Sequence, residues 1–132
     1  MLLIETVVKL SPNKGLGLFA KHFIKKGTAY WIRNESFDKV ITPENLESLL
    51  PIAKEYIERY ACLEKNGNWY LCGDNGRFSN HSDISNTRTE FNEDGLVISL
   101  KASRDIHPEE EIFCNYTELC HTCIDGVVFK PL

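Results

Sequence analysis

Apolar and polar residues alternate loosely over several short runs of this chain, which is the pattern of half-buried β-strands. Residues that favour turns, chiefly Gly, Pro, Asn and Asp, separate the runs. The pattern predicts strands in six segments: LLIETVVKL (2–10), LFAKHFI (18–24), TAYWI (28–32), NWYLCG (68–73), GLVISLKAS (95–103) and EIFCNY (111–116).

One segment has helical spacing instead. Thr42 is a suitable N-cap, Pro43 suits the first helical position, and Pro51 is expected to split the segment into two short helices. We expect one face of these helices to belong to the core, formed by Leu46, Leu49, Leu50, Ala53, Ile57 and Tyr60. Many short strands with one helical insert predict a β-dominated α+β fold.

Length and composition place the chain among globular proteins. Its 132 residues fit a single domain, 1–132, and 42% hydrophobic residues suffice for a core. The first residues do not resemble a signal peptide, and no run of about 20 apolar residues suggests a membrane span. A net charge of −4 argues against direct nucleic-acid binding. We expect a soluble protein without membrane contact.

Five cysteines form an odd count without a framework spacing. This favours reduced thiols in a reducing compartment, either cytoplasm or nucleus. Cys120 and Cys123 form a Cys-x-x-Cys pair, but a closed zinc site needs four ligands, and the other cysteines are scattered. A small zinc-binding interaction protein therefore stays a distant alternative, and we predict no metal.

The stretch GRFSNHSDISNT (76–87) is polar around Asn80 and His81, although an Arg-Phe pair precedes them. The pair Gly15 and Gly17 has no third glycine or Walker lysine after it, which argues against phosphate binding. A tight turn and a close ligand contact both fit the glycines. The run of glutamates at 109–111 is interpreted as the charged edge of a turn.

Three blocks of this chain together resemble the SET-domain protein lysine methyltransferases. KGLGLFAKHFIKKGT (14–28) is similar to the family's G-x-G opening, RFSNHSDISNT (77–87) to R-F-x-N-H-S-C-x-P-N, and LKASRDIHPEEEIFCNY (100–116) to A-x-R-D-I-x-x-G-E-E-[LI]-x-[YF]-D-Y. The likeness covers nearly the whole chain.

The resemblance implies small curled β-sheets, a helical insert at about 42–65 and a knot-like C-terminal segment that brings the second and third blocks together. Asp83 stands where relatives with a C-terminal zinc cluster have a cysteine ligand, which argues further against metal. Ser85 replaces a proline, Glu109 replaces a turn glycine, and Cys114 replaces an aromatic residue.

The resemblance also implies S-adenosylmethionine as the cofactor. The residues implied to bind it are Leu16, Gly17, Arg77, Phe78, Asn80, His81 and Tyr116. The missing side chains at the glycines would let the backbone approach the cofactor. Tyr116 would also be the catalytic residue of the methyl-transfer channel. Tyr30 is a candidate for a channel or cofactor contact, and Cys114 and Tyr30 are the candidates for substrate specificity and control of the product.

The implied activity is methyl transfer to the side-chain amine of a protein lysine, in a histone tail or another basic segment. The small thiol of Cys114 predicts that di- or trimethyllysine can form, unless Tyr70 or Phe113 fills the vacated space. The alternative is a catalytically weak SET-like module that binds a basic peptide. In so short a chain, the insert or self-association as a homodimer would select the substrate.

Overall fold

A computed structural model describes residues 1–12 and 14–119. Its strands are β1 Thr6–Ser11, β2 Gly15–Ala20, β3 Ala29–Ile32, β4 Lys39–Ile41, β5 Cys62–Leu63, β6 Trp69–Leu71, β7 Asn80–His81, β8 Thr87–Phe91, β9 Val97–Ala102 and β10 Phe113–Cys114. Its helices are α1 Pro43–Glu47, α2 Pro51–Tyr60 and α3 Tyr116–Leu119, with a 3-10 helix at Asn75–Phe78. All six predicted strands are present, but their bounds differ. β3, β6, β9 and β10 are shorter than predicted, β1 ends one residue later, and β2 starts at Gly15 and ends at Ala20 instead of spanning 18–24.

The described strands form four small sheets. The pairs are an antiparallel hairpin of β1 and β2 and a parallel pair of β7 and β10, and the two three-stranded sheets have the orders β3-β9-β8 and β4-β6-β5. Isolated bridges join a sheet to a loop, as between Phe19 of β2 and Glu111, or two loops, as between Ile24 and Ile106. The β-dominated α+β prediction is confirmed.

The core lies where β3 and β9 meet the segment before β10. From β9, Val97, Leu100 and Ala102 are buried in the apolar core, while Ser99 is buried against Glu90, to which its hydroxyl donates. Ile106 and Ile112 are fully buried beside this sheet. The apolar core therefore sits directly beneath the β7–β10 pair.

The helical insert begins and divides as predicted, but it contributes little to the core. Thr42 accepts a hydrogen bond from the backbone N–H of Asn45 at 3.2 Å, and Pro51 starts the second helix. In α1 and α2, only Ile57 is buried. The prediction of a core face formed by Leu46, Leu49, Leu50, Ala53, Ile57 and Tyr60 is therefore wrong for most of its members, because the short helices lie outside the β4-β6-β5 sheet.

Four strands, β4, β5, β7 and β8, together with the 3-10 helix and the last helix, are not predicted by the sequence pattern. β8 reads Thr-Arg-Thr-Glu-Phe, and β4 has only three residues. Both take their conformation from pairing with a neighbouring strand, β9 and β6 respectively. Local hydrophobic alternation is weak in each of them.

Cysteine chemistry departs from the prediction at one position. Cys72 and Cys114 have free thiols, but Cys62 is disulfide-bonded, so the prediction of reduced thiols is wrong there. The fold places Cys62 Sγ 3.0 Å from the carbonyl oxygen of Leu119, a contact that sequence spacing does not reveal. Cys120 and Cys123 lie outside the described residues.

None of the helices within 1–12 and 14–119 has the length and apolar character that a membrane span requires.

Candidate functional site

The polar stretch and the C-terminal block meet through the two-residue strands β7 and β10. Asn80 is paired with Phe113, and His81 with Cys114, in parallel register. Asn86, which is 1% exposed, fixes β10 from the side: its amide donates to the Glu111 carbonyl and accepts from the Phe113 N–H, both at 2.8 Å. The side-chain amide thus replaces a missing neighbouring strand.

Asn80 joins this pair to the glycine-containing strand. Its Nδ2 donates to the carbonyl oxygen of Leu16 at 2.9 Å and to Oε1 of Glu111 at 2.8 Å. The other carboxylate oxygen of Glu111 accepts from the Ser11 hydroxyl at 2.7 Å. Two of the residues implied to bind cofactor, Leu16 and Asn80, are therefore in direct contact.

The structure explains why residue 17 is glycine, and the explanation differs from the expected close approach of the backbone to the cofactor. A Cβ atom at this position would lie 2.3 Å from Oε1 of Glu111 and 3.0 Å from Cβ of Ser11. The absent side chain thus makes room for the Glu111 carboxylate. From sequence, the run of glutamates at 109–111 is interpreted as the charged edge of a turn. Glu111 differs from that interpretation, because its carboxylate is hydrogen-bonded to Ser11 and Asn80.

His81 and Tyr116 are neighbours. The Tyr116 N–H donates to His81 Nδ1 at 3.1 Å, and the two ring centroids lie 5.4 Å apart. Because Nδ1 accepts, the neutral ring carries its proton on Nε2, which donates to Asp83 at 3.0 Å. The His81 carbonyl oxygen accepts a hydrogen bond from the exposed ammonium of Lys14.

A cavity of about 100 Å³ opens beside these residues. Tyr116 lines it, and its hydroxyl donates to the carbonyl oxygen of Ser79, another lining residue. Tyr30, Trp31 and Cys114 also line the cavity. The cavity therefore contains the tyrosine and both candidates for product control.

The two candidates for product control touch each other. The Tyr30 hydroxyl lies 3.3 Å from Cys114 Sγ, although 84 positions separate them in the chain. Burial, followed by the adjacent Cys114, raises the pKa of Tyr30 well above its usual value, and burial raises the pKa of Cys114. Both groups are therefore neutral near pH 7, so neither serves as a base in its charged form.

Arg77 and Phe78 contact the helical insert. The Nη1 of Arg77 donates to the Tyr56 hydroxyl at 2.7 Å, and the Phe78 ring lies 5.6 Å from that of Tyr60 in an edge-to-face arrangement. Arg77 also lines the cavity. The structure thus groups Leu16, Asn80, His81 and Tyr116 together, and places these two against α2.

The group formed by Leu16, Asn80, His81 and Tyr116 has main-chain and side-chain oxygens that fit S-adenosylmethionine. A methionine ammonium requires acceptors, and Leu16 O lies beside the Asn80 amide. An adenine amino group likewise requires an acceptor, and the His81 carbonyl oxygen, which accepts from the exposed ammonium of Lys14, is a group of that kind. Within residues 1–12 and 14–119, no group of three His, Cys, Asp or Glu side chains could hold a metal ion.

Three contributors to the site were missed at the sequence level. Glu111 and Asn86 organise the strands, and Trp31 lines the cavity. Asn86 follows the RFSNHS segment, so the polar stretch did contain a signal. Trp31 sits in a strand pattern that predicts burial and nothing more.

Comparisons with known proteins agree with this arrangement. A family model described as the SET domain matches residues 15–117. The Plasmodium falciparum protein PFL0690c, assigned as a histone methyltransferase, is similar in structure with a TM-score of 0.61 and 25% sequence identity, covering 86% of this chain and 93% of that one. A search of curated proteins finds no match by sequence.

Larger assemblies contain a similar fold. A Polycomb Repressive Complex 2 structure, ctPRC2 bound to S-adenosylmethionine in an autoinhibited conformation, has a TM-score of 0.66 and 19% identity, covering 94% of this chain and 16% of that chain. A humanized mutant of the Chaetomium thermophilum complex, bound to the inhibitor GSK126, has a TM-score of 0.63 and 21% identity, covering 89% and 15%. At these identities, only the fold is shared.

Methyltransferases with this fold use S-adenosylmethionine. The match extends from the glycine pair to the helix that begins at Tyr116, and so includes all three blocks of the sequence. The chain belongs to the SET domain family.

Proposed function

We propose that this protein transfers a methyl group from S-adenosylmethionine to the side-chain amine of a protein lysine. The observation that carries the proposal is the convergence of Tyr116, Ser79 and Cys114 on one cavity beside β7. Leu16, Asn80 and His81 lie on the adjoining strands. We assign these three residues and Gly17 to cofactor binding, with Arg77 and Phe78 supporting the site from the insert.

S-adenosylmethionine supplies a methyl group on a positively charged sulfur. The hydroxyl of Tyr116 and the carbonyl of Ser79 lie within hydrogen-bonding distance of each other, so two oxygens converge on the cavity. Such oxygens orient an amine and make weak C–H···O contacts with an electron-poor methyl group. Tyr116 therefore aligns the reacting groups and is the proposed catalytic residue.

The incoming lysine must be neutral to attack. At pH 7.4, deprotonation of a free lysine costs about 4 kcal/mol. Burial in a cavity walled by Tyr30, Trp31 and Cys114 disfavours the charged ammonium and lowers this cost. Desolvation thus replaces a dedicated base.

Methyl transfer from labelled S-adenosylmethionine to a panel of histones and other proteins tests the proposal. Tyr116→Phe removes one hydroxyl with little change of volume, so we expect at least a tenfold loss of methyl transfer. Calorimetry should show that this variant still binds S-adenosylhomocysteine. Turnover near the wild-type rate would remove Tyr116 from its proposed role.

The binding-module alternative makes the opposite prediction for the same experiment. A weak SET-like module would bind cofactor or peptide without incorporating label into any protein. The substrate protein, a homodimeric state and a nuclear or cytoplasmic location stay predictions.

A further inference from the structure

The cavity that contains Tyr116 has a positively charged wall, although the chain as a whole is acidic. Three arginines, Arg33, Arg59 and Arg77, line it together with one carboxylate, Glu64. Over the whole sequence, 19 acidic residues outnumber 15 basic ones. The positive charge is therefore concentrated where a substrate would enter.

Glu64 is already neutralised. Arg33 binds both of its carboxylate oxygens, at 2.5 and 3.1 Å, and the Glu64 side chain is only 4% exposed. Arg33 also lies over the Tyr70 ring at 4.2 Å from its centroid. This buried pair leaves Glu64 no free oxygen to attract a positively charged substrate residue.

The other two arginines have no carboxylate partner among the described residues. Arg59 is exposed on the last turn of α2. Arg77 donates from Nη1 to the hydroxyl of Tyr56, which is uncharged, while its buried Nε has no acceptor within the described part of the chain. Both guanidinium groups thus retain unbalanced charge.

A second buried donor faces the same cavity. Trp31 is 3% exposed and lines the wall, and its Nε1–H has no oxygen or nitrogen acceptor among residues 1–12 and 14–119, with only the weakly accepting Cys72 sulfur beside it. Buried donors are normally paired, since an unpaired one loses its hydration without compensation. The wall therefore favours an occupant that brings acceptor oxygens.

We propose that the substrate carries an aspartate or glutamate close to its target lysine, and that Arg59 and Arg77 bind this carboxylate. The inference rests on the proposed function and names its substrate class. A guanidinium group binds carboxylate through two parallel hydrogen bonds. A basic neighbour would instead meet uncompensated positive charge. The proposed acidic neighbour differs from the basic segment expected from sequence, and the same peptides distinguish the two.

Peptides of one length with a single lysine provide the test. At each position around the lysine, the neighbour is glutamate, glutamine or lysine. At the favoured position, we expect glutamate to lower KM about fivefold relative to glutamine, as one partly exposed ion pair does, with kcat unchanged. The difference should shrink as salt is added, because ions screen exposed charges.

Reversing the charge of Arg59 then tests whether this arginine binds the substrate carboxylate. Arg59→Glu should lose the preference for glutamate and gain one for lysine at the same position. Arg88→Glu is the matched control, because Arg88 is an exposed arginine on β8 outside the cavity, and it should keep the wild-type preference. Arg59→Gln, which should only abolish the preference, replaces the reversal variant if that protein does not fold.

Three results would overturn the inference while the proposed function stands. They are equal KM values for peptides with glutamate, glutamine or lysine as the neighbour, a lower KM for the lysine peptide, or an unchanged preference in Arg59→Glu. If the protein binds S-adenosylhomocysteine but methylates none of the peptides or proteins, the proposed function itself fails.

Discussion

Cys114 stands where the family has an aromatic ring, and it lines the cavity. From sequence, Tyr70 or Phe113 could fill the vacated space, whereas the side chain that contacts the sulfur is Tyr30, with its hydroxyl 3.3 Å away. The Tyr70 hydroxyl is engaged by Asp38. Tyr30 and Cys114 are far apart in the chain, so no local pattern could pair them.

We predict that the wild-type protein forms di- or trimethyllysine, and that Cys114→Tyr shifts the product towards monomethyllysine. A tyrosine there would occupy space needed by a methylated amine and could hold a water molecule beside it. Mass spectrometry at saturating cofactor and long reaction times measures the product. Cys114→Ala is the control, because it keeps the space open and should keep the wild-type product.

A wild-type protein that stops at one methyl group would contradict this prediction. Since residue 114 is buried, circular dichroism and calorimetry must first show that Cys114→Tyr folds and binds S-adenosylhomocysteine.

At the scale of elements, the turn between β9 and β10 keeps its geometry despite a substitution. Glu109 stands where the family has a turn glycine, and its φ is 70°, the left-handed region. Its N–H donates to the Ala20 carbonyl at 2.7 Å, so the turn is anchored to β2. A glutamate in this conformation is strained, because its Cβ crowds the backbone.

Glu109→Gly should therefore raise the free energy of unfolding by about 1 kcal/mol. Urea denaturation measures the change. Glu93→Gly is the control: Glu93 is also exposed in a turn but has no positive φ, so glycine there should stabilise nothing. A loss of stability in Glu109→Gly would show that the strain is relieved in some other way.

The sequence predicted elements best where packing and propensity agree. β9 alternates clearly and was found, and the Thr42 cap with Pro43 located the start of α1. The sequence does not predict β8, because its charged residues break the apolar alternation of a strand. It is a strand because it forms hydrogen bonds with β9. The helical spacing of apolar residues predicts α2 correctly. It does not indicate which of these residues pack against another part of the protein and which face solvent.

At the scale of the molecule, Asp38 links segments that are distant in sequence. Its buried carboxylate accepts hydrogen bonds from the Gly73 N–H at 2.8 Å, the Asn34 N–H at 3.3 Å and the Tyr70 hydroxyl. Burial by itself would raise the pKa of Asp38, but the Gly73 and Tyr70 hydrogen bonds outweigh it and hold the pKa below its usual value. The carboxylate therefore stabilises the fold in its charged form.

Because the pKa of Asp38 is lower in the folded state, its carboxylate stabilises the fold fully at pH values above the pKa of the unfolded chain, about 3.9. This stabilisation is lost as the pH falls through the pKa of the folded state. Asp38→Asn should thus cost about 2 kcal/mol at pH 7. The difference from wild type should shrink near pH 3, measured by urea denaturation at both pH values. Asp94→Asn, in an exposed turn, should change stability little at either.

A constant difference between Asp38→Asn and wild type across this range would mean that the carboxylate is not the source of the stability.

The family could be predicted because three sequence blocks carry it, and the family match spans all three. The contacts that complete the site were not predictable, because they join residues across the whole chain. Ser11 with Glu111 is one such contact, 100 positions apart, and it explains Gly17 better than any local argument.

The parallel pairing of β7 with β10 has a consequence for how the protein assembles. Only two residue pairs form it, and more than 30 positions of chain must be looped out before they meet. The β1–β2 hairpin and the β8–β9 pair close much shorter loops, so we expect them to form earlier. We expect heat or denaturant to separate β10 from β7 before the rest of the core unfolds, leaving a compact molecule in which the candidate site is disrupted.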